Sequence, residues 1–161
     1  MPSIFTRIID GEIPGRFVWR DDTCVAFMDV RPLNRGHVLV VPRAEVDHWV
    51  DLDGDTLAHL MAVAHRVAEA QQAAGLAPDR VGLMIAGFEV PHVHVHVVPI
   101  STMADLDFSN ADTSPDPDDL DAVAALLQER LRGPADRRAT RPVRGGAVAR
   151  AARDRSEQER E

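Results

Sequence analysis

Three histidines stand two residues apart in the segment EVPHVHVHVVPI, residues 89 to 100. Successive side chains of a β-strand point to opposite faces, so a strand here places His92, His94 and His96 on one face, about 7 Å apart. The valines between and after them would share the other face, where they can enter a hydrophobic core. The pattern therefore predicts a strand with a row of imidazoles on one side and an apolar surface on the other.

Three interpretations of the imidazole row are open. It could be a solvent-facing strand that carries histidines by chance, although histidine accounts for only 7 of 161 residues. It could be a metal site, because alternating histidines can direct two nitrogens at one zinc ion, but the remaining ligands are not evident. It could also be a phosphate site, because imidazole is a nucleophile toward phosphorus and moves protons near neutral pH. In such a site backbone N–H groups would share the developing charge.

The elements that must position this row follow from the hydrophobic pattern. Helical spacing of apolar residues predicts one helix over residues 53–75, which Asp55 could cap and Gly75 could end, and a second over 117–132. The order of strands and helices predicts an α+β fold with an antiparallel sheet. Runs rich in β-branched and aromatic residues predict strands at 16–20, 24–28, 37–42, 81–87 and 92–98.

Charge and composition limit the possible partners. All 18 basic residues are arginines; residues 1–132 carry a net charge of −11 and residues 133–161 carry +3. The negative charge of residues 1–132 argues against a nucleic-acid-binding surface there. No apolar run is long enough to span a membrane and no signal peptide is evident, which predicts a cytoplasmic protein. The single cysteine, Cys24, is expected to be a small buried hydrophobe, with a nucleophilic thiol as the alternative.

The chain is expected to divide into three parts. Residues 1–110 would form the main domain, and 111–132 an acidic loop followed by the C-terminal helix. Residues 133–161 are rich in arginine and have only two large apolar residues, Val143 and Val148, so we expect a mostly disordered tail. A solvated extension is its plainest role, and contact with an acidic partner is the alternative.

The motif HVHVHVV resembles the signature of the histidine triad (HIT) family, and the resemblance extends from about residue 3 to about residue 110. The segments GEIP, DVRP and GHVLVVP are similar to the branch that contains the adenosine phosphoramidate hydrolases. The resemblance implies a HIT-like fold: a sheet of about five antiparallel strands, a long helix and a C-terminal helix. It also implies a homodimer, joined through the helix and strand near residues 55 to 90.

The resemblance further implies an activity and a set of site residues. The protein would release a nucleoside monophosphate, usually AMP, from a phosphoramidate or related α-phosphate linkage. His94 would attack phosphorus and form a nucleotidyl-histidine intermediate, His96 would contact phosphate oxygens, and His92 would orient the site from beneath. Asp29 would hold the ribose hydroxyls and His37 would lie beside the nucleotide. The base pocket would involve Phe5, Ile8 and Phe27.

Two departures from the family pattern bear on these expectations. Relatives often carry a Cys-x-x-Cys zinc pair where this chain has Ser3 and Thr6, and a histidine where it has Glu45. His48 is a poor substitute, so we expect no zinc and no other cofactor.

The second departure is the segment just before the triad, which lacks the usual asparagine and polar donors. It has Gly87, Phe88 and Glu89 instead, and by their place in the family pattern we expect these three residues to contact the substrate. Glu89 could point outward in a structural role or donate a proton to the leaving group. Two other functions therefore remain open beside the phosphoramidate hydrolase: a nucleotide-binding module with little turnover, and a dinucleoside polyphosphate hydrolase.

Overall fold

A five-stranded antiparallel sheet runs through the computed structural model, which describes residues 1–132. The strand order is β1-β2-β3-β5-β4, so β3 and β5 lie inside the sheet and β1 and β4 are its edges. This confirms the predicted α+β class. The strands are β1 Phe17–Arg20, β2 Cys24–Met28, β3 Val38–Pro42, β4 Arg80–Met84 and β5 Val95–Ile100, and the α-helices are α1 Ile4–Ile9, α2 Gly54–Ala73 and α3 Pro117–Leu131.

The two faces of the sheet are covered by different elements. On one face, Val93, Val95 and Val97 enter a core with the buried residues of α2 and α3, such as Leu60 and Leu127. On the opposite face, α1 contributes its one buried residue, Phe5, to a smaller cluster with residues of β2 and β3. Because α3 shares the core of α2, residues 117–131 are part of the same folded unit as the sheet.

Both long helices begin at an aspartate that caps the first turn. The side chain of Asp53 accepts a hydrogen bond from the backbone N–H of Thr56, so Asp53 caps α2, and the sequence-based choice of Asp55 was wrong. Gly75 follows the helix with a φ of +71°, a conformation that glycine adopts without strain. In α3 the cap is Asp116, and Pro117 occupies the first turn, where its missing N–H leaves no bond unmade.

The triad segment enters the sheet later than predicted. Strand β5 begins at Val95, so His92 and His94 precede it and only His96 belongs to the ladder. The backbone N–H of Val93 donates to Val46 O at 2.8 Å, and that of His92 donates to Val90 O at 2.8 Å. The first bond holds the segment against the loop after β3 instead of against a neighbouring strand, and the second is a local turn within the segment.

Several short helical segments were not predicted. Helix α1 begins at Ile4 after Ser3, whose side chain accepts from the N–H of Thr6. Three 3-10 turns, Trp49–Asp51, Met103–Leu106 and Phe108–Asn110, lie before α2 and after β5. The expected disorder of residues 133–161 concerns a segment outside the described residues. No helix within residues 1–132 is long and apolar enough to cross a membrane.

Candidate active site

Two adjoining hollows lie on the α1 side of the sheet. The first is a cleft of about 210 Å³ that His94 and His96 line together with Phe108, and we call it the triad cleft. The second is a mostly apolar slot of about 290 Å³, lined by Ile8, Phe27 and others. Both hollows share five wall residues, so they form one continuous depression. The shared residues are Ile4, Phe5, Asp29, Val30 and Leu39.

His94 has one nitrogen committed to the backbone. Its Nδ1 lies 2.7 Å from the carbonyl oxygen of His92. A carbonyl can only accept, so Nδ1 must carry the proton, and Nε2 is left with a lone pair. The ring is 6% exposed and packs edge-on against Phe5, with centroids 4.9 Å apart. His94 is therefore an imidazole fixed in the cleft wall, and its neutral form has the lone pair that a nucleophile needs.

His96 has the complementary proton arrangement. The backbone N–H of Leu33 donates to His37 Nδ1 at 3.0 Å, so the proton of His37 is on Nε2. That Nε2 donates to His96 Nδ1 at 3.0 Å, which places the proton of His96 on its own Nε2. His96 can thus donate a hydrogen bond from the cleft wall to an oxygen of a bound group. The two adjacent triad histidines present one acceptor nitrogen and one donor nitrogen.

Burial keeps His37 and His96 neutral. It lowers the pKa of His37 to about 3, with the neighbouring His96 and His94 adding to the shift. It also lowers the pKa of His96 to about 4, and His94 again contributes. Desolvation penalises the charged form of a buried imidazole, so the proton pattern persists at neutral pH.

His37 lies behind the site instead of in it. The resemblance implied a residue beside the nucleotide, but His37 is fully buried and lines neither hollow. It reaches the cleft only through its hydrogen bond to His96. The structure therefore places it as the partner that selects the tautomer of His96.

His92 is also fully buried behind the cleft. Its Nε2 lies 2.8 Å from Pro42 O and its Nδ1 lies 2.7 Å from Ser3 Oγ. Burial lowers the pKa of His92, although the hydrogen bond to Pro42 opposes the shift. Its carbonyl accepts from His94, so His92 orients the ring that faces the cleft.

Asp29 stands where the triad cleft meets the apolar slot. It follows β2, and one carboxylate oxygen accepts the backbone N–H of Arg31 at 2.8 Å. Burial raises the pKa of Asp29, while the contact with Arg31 opposes the shift. Its other oxygen lies 3.7 Å from His37 Nδ1, a nitrogen that already accepts from Leu33. A carboxylate with free acceptor capacity at this junction can accept hydrogen bonds from two neighbouring hydroxyl groups.

The apolar slot contains the three residues expected around a base. Phe5, Ile8 and Phe27 all line it, and Phe5 and Phe27 contact each other edge to face at 5.6 Å. Two charged residues, Arg16 and Asp121, form an ion pair that also lines the slot. The walls suit a flat heteroaromatic ring better than a charged group.

The segment before the triad forms the outer rim of the cleft. Gly87 has a φ of +85°, and Phe88 is 98% exposed; neither lines the cleft. Glu89 does line it, and its carboxylate accepts from the guanidinium of Arg31 at 2.8 Å. Both side chains are more than half exposed, so this ion pair is a rim feature that solvent screens.

Sequence reasoning missed several cleft residues, among them Arg31 and Phe108. Arg31 lies in the motif FMDVRP, whose aspartate was identified, but its position on the rim depends on the loop after β2. Phe108 comes from the 3-10 turn Phe108–Asn110, and its ring lies 5.1 Å from that of His96. No periodic pattern marks either residue, since both are positioned by irregular segments.

A metal ion is not favoured at the triad. Asp29, His37 and His96 do offer three ligand atoms within 4.8 Å of one another. However, both nitrogens of His37 and Nδ1 of His96 are engaged in hydrogen bonds. A metal ion needs a free lone pair on each ligand nitrogen. The lone pairs of His37 Nδ1 and His96 Nδ1 each accept a hydrogen bond, and His37 Nε2 carries a proton. The geometry instead suits binding and displacement at a phosphate group.

Comparison with known protein families identifies one domain. A family model described as "HIT domain" matches residues 10–103. An uncharacterized HIT-like protein of Mycobacterium tuberculosis is 34% identical over 136 residues, which cover 81% of this chain and 94% of that protein. The purine nucleoside phosphoramidase of Escherichia coli is 32% identical over 104 residues, covering 60% of this chain and 85% of the enzyme.

Solved structures show the same architecture. A zinc-bound histidine triad family protein from Mycobacterium smegmatis superposes with a TM-score of 0.69 at 29% identity, covering 86% of this chain and 96% of that one. A HIT-like protein from Bartonella henselae superposes with a TM-score of 0.68 at 28% identity, covering 80% of this chain and 95% of that one.

Proposed function

Because the chain belongs to the HIT domain family, we propose that it is a nucleotide hydrolase that releases AMP from phosphoramidates and related α-phosphate linkages. The observation that carries the proposal is the proton pattern of the triad cleft. His94 offers a lone pair at Nε2, and His96 offers an N–H beside it. A nucleophile paired with an adjacent oxyanion donor is what nucleotidyl transfer requires.

In the proposed complex the nucleotide lies along the two hollows with its base in the apolar slot and its phosphate in the triad cleft. The base occupies the apolar slot, between Phe5, Ile8 and Phe27. The ribose lies at the junction, where Asp29 accepts from its hydroxyl groups. The α-phosphate then reaches the triad cleft, and the leaving group points to the rim at Arg31 and Glu89. This order follows from the shared walls of the two hollows.

The reaction proceeds in two displacements. His94 Nε2 attacks the α-phosphorus, the P–N bond breaks with its electron pair going to nitrogen, and the leaving amine takes a proton from solvent at the rim. His96 donates its Nε2–H to a non-bridging oxygen and stabilises the added charge. A water molecule then attacks the nucleotidyl-histidine, its proton passes to solvent, AMP departs and His94 regains its lone pair.

Zinc, which the Mycobacterium smegmatis relative carries, does not fit the residues present here. The family's metal-ligand positions named above hold two hydroxyl side chains, Ser3 and Thr6, whereas structural zinc sites use thiolate and imidazole ligands. The carboxylate of Glu45 and Nδ1 of His92 are already hydrogen-bonded to these hydroxyl groups. No step of the proposed reaction involves a metal.

The decisive experiment compares wild type with His94→Ala on adenosine 5′-phosphoramidate. We expect wild type to release AMP and His94→Ala to lose turnover by about 10³-fold or more. His65→Ala is the matched control, because His65 is an exposed histidine on α2. Acyl-adenylates and dinucleoside polyphosphates belong in the same panel, since they test the leaving group. No AMP from any of them would reject the hydrolase.

A nucleotide-binding module without turnover is the second candidate. The segment before the triad favours it, because Gly87, Phe88 and Glu89 stand where the family pattern has an asparagine and polar donors. Calorimetry with AMP separates the two candidates: binding without hydrolysis identifies the module, and absence of both rejects it as well.

We also propose a cytoplasmic homodimer. Strand β4 is a sheet edge and its Leu83 is 44% exposed, which leaves an apolar edge available for a second copy. A sedimentation mass equal to one chain at micromolar concentration would contradict the dimer.

A further inference from the structure

A network of hydrogen bonds joins the N-terminal helix to the first histidine of the triad. Ser3 Oγ lies 2.7 Å from His92 Nδ1, and the backbone N–H of Ser3 donates to the Glu45 carboxylate at 3.0 Å. The Thr6 hydroxyl donates to the same carboxylate oxygen, and the Thr6 N–H donates to Ser3 Oγ at 3.1 Å. We call Ser3, Thr6, Glu45 and His92 the N-terminal clasp.

The direction of each bond in the clasp is determined. Pro42 O can only accept, so His92 carries its proton on Nε2 and accepts at Nδ1. The Ser3 hydroxyl must therefore be the donor to His92, while Ser3 Oγ accepts from Thr6 N–H. Glu45 accepts twice and donates nothing. Both nitrogens of the buried His92 ring are thus held, one by the sheet and one by α1.

The clasp lies outside the substrate hollows. Ser3, Thr6 and Glu45 are absent from the walls of both the triad cleft and the apolar slot. Their connection to the chemistry is through His92, whose carbonyl oxygen takes the Nδ1 proton of His94. A shift of His92 would therefore turn the nucleophilic Nε2 of His94 away from the bound phosphorus.

We propose that Ser3 and Glu45 are positioning residues that hold His92, and through its carbonyl the nucleophilic ring of His94, by hydrogen bonds instead of a metal ion. The inference rests on the proposed role of His94. It assigns a task to residues at positions where the family pattern has zinc ligands, and it makes the N-terminal segment a functional part of the site.

The expected effect is on the rate of the chemical step. Removing a hydrogen-bond partner that holds a functional histidine typically lowers activity by about 10- to 100-fold, because reacting atoms must be aligned closely. We expect Ser3→Ala and Glu45→Ala each to lower kcat by about tenfold while KM changes less than about twofold. KM is spared because neither side chain touches the nucleotide.

Asp53→Ala is the matched control for Glu45→Ala. Asp53 is also an exposed carboxylate that accepts one backbone N–H and one threonine hydroxyl, both from Thr56 at the start of α2. We expect it to retain the wild-type kcat. If Glu45→Ala does not fold, Glu45→Gln replaces it, since the amide keeps the size and one acceptor oxygen but loses the charge. Wild-type kcat in Ser3→Ala and Glu45→Ala, or a rise in KM alone, would overturn the inference.

A second measurement separates this inference from the proposed function. The ¹⁵N resonances of the His92 imidazole report which nitrogen carries the proton, and they require no substrate. We expect wild type to show protonated Nε2 and unprotonated Nδ1, and Ser3→Ala to shift the Nδ1 signal. An inactive wild type would reject the hydrolase, whereas a His92 spectrum unchanged in Ser3→Ala and Glu45→Ala would reject the clasp.

Discussion

Two regions of this protein contain a carboxylate and a histidine side by side. They differ in whether their hydrogen bonds leave a donor free at a cavity. The cleft cluster consists of Asp29, His37 and His96, and the turn cluster consists of Asp21, Cys24 and His59. In the cleft cluster a line of hydrogen bonds runs from Leu33 through His37 to His96 and ends at an N–H on the cleft wall.

The hydrogen bonds of the turn cluster are all made to neighbouring groups of the protein. The carboxylate of Asp21 accepts from Trp19 Nε1 at 2.7 Å and from the backbone N–H groups of Thr23 and Cys24 at 2.8 Å each. His59 Nε2, also 2.7 Å away, completes the set. These bonds close the turn between β1 and β2 and tie it to α2. No acceptor capacity is left over for a ligand.

The thiol of this cluster is equally committed. Cys24 is fully buried, and burial beside Asp21 raises its pKa to about 12. It stays protonated at neutral pH and therefore lacks the thiolate that a nucleophile or metal ligand requires. The comparison teaches that the same residue types serve chemistry or structure according to whether a donor or lone pair remains free at a cavity.

The sharpest way to break this comparison is to remove one histidine from each cluster. We expect His96→Ala to lower kcat by about 100-fold or more, because a donor to the phosphate oxygens is lost. We expect His59→Ala to keep the wild-type kcat. Steady-state AMP release measures both. Equal losses in the two variants would show that the clusters do not differ as described.

The second prediction uses pH to separate the clusters. The unfolded chain protonates His37 and His96 near pH 6.5, whereas burial lowers their folded-state pKa values to about 3 and about 4. As the pH falls through this interval the unfolded state binds protons that the folded state does not, so stability decreases. The raised pKa of Asp29 acts in the opposite direction, but the buried His92 adds to the histidine effect.

The turn cluster responds in a lower pH range. Burial opposes the shift, but the hydrogen bonds from Trp19, Cys24, His59 and Thr23 lower the pKa of Asp21 well below its usual range. The contribution of Asp21 to stability is therefore present above about pH 4 and is lost only below it.

Because of the buried histidines of the cleft cluster, we expect the melting temperature to fall by about 5 °C or more between pH 7 and pH 5. Calorimetry showing no fall over that range would contradict the buried neutral histidines.

The smallest expected effect is that of Asp21→Asn. The amide can replace only some of the accepted bonds, so the variant should lose about 1–3 kcal/mol of unfolding free energy and a few degrees in melting temperature. Its kcat should remain that of wild type. Thermal unfolding followed by circular dichroism, together with one rate measurement, tests both parts. A large loss of activity at unchanged melting temperature would assign the turn cluster a role in the reaction.

Regular elements were predictable because they repeat a pattern. The alternation of histidine and valine identified both faces of the segment around His94, and helical spacing located α2 and α3 within a few residues. The family resemblance pointed to Asp29, Phe5, Ile8 and Phe27, and all four line the apolar slot. What the sequence could not give depends on contacts between distant segments: Glu45 meets Ser3 across 42 residues, and Glu89 meets Arg31 across 58.

The depth of a side chain has the same origin. The resemblance implied that His37 lies beside the nucleotide, but a residue's place in the chain does not reveal that its side chain is fully buried behind His96. Hydrogen bonds from Leu33 N–H and to His96 fix the orientation of the His37 ring, and Leu33 lies in an irregular loop. Helix α1 was overlooked because a six-residue helix has too few apolar positions to show a period.

The alternation of valine and histidine has a consequence for how the sequence can vary. Every residue from His92 to Ile100 is buried, so this segment has no side that can change freely. Substitutions of Val93, Val95 and Val97 empty the core beneath α2 and reduce the amount of folded protein in a cell. Substitutions of the histidines leave that core intact and affect what the folded molecule does. Nine consecutive positions are therefore intolerant of mutation, for reasons that alternate residue by residue through the triad.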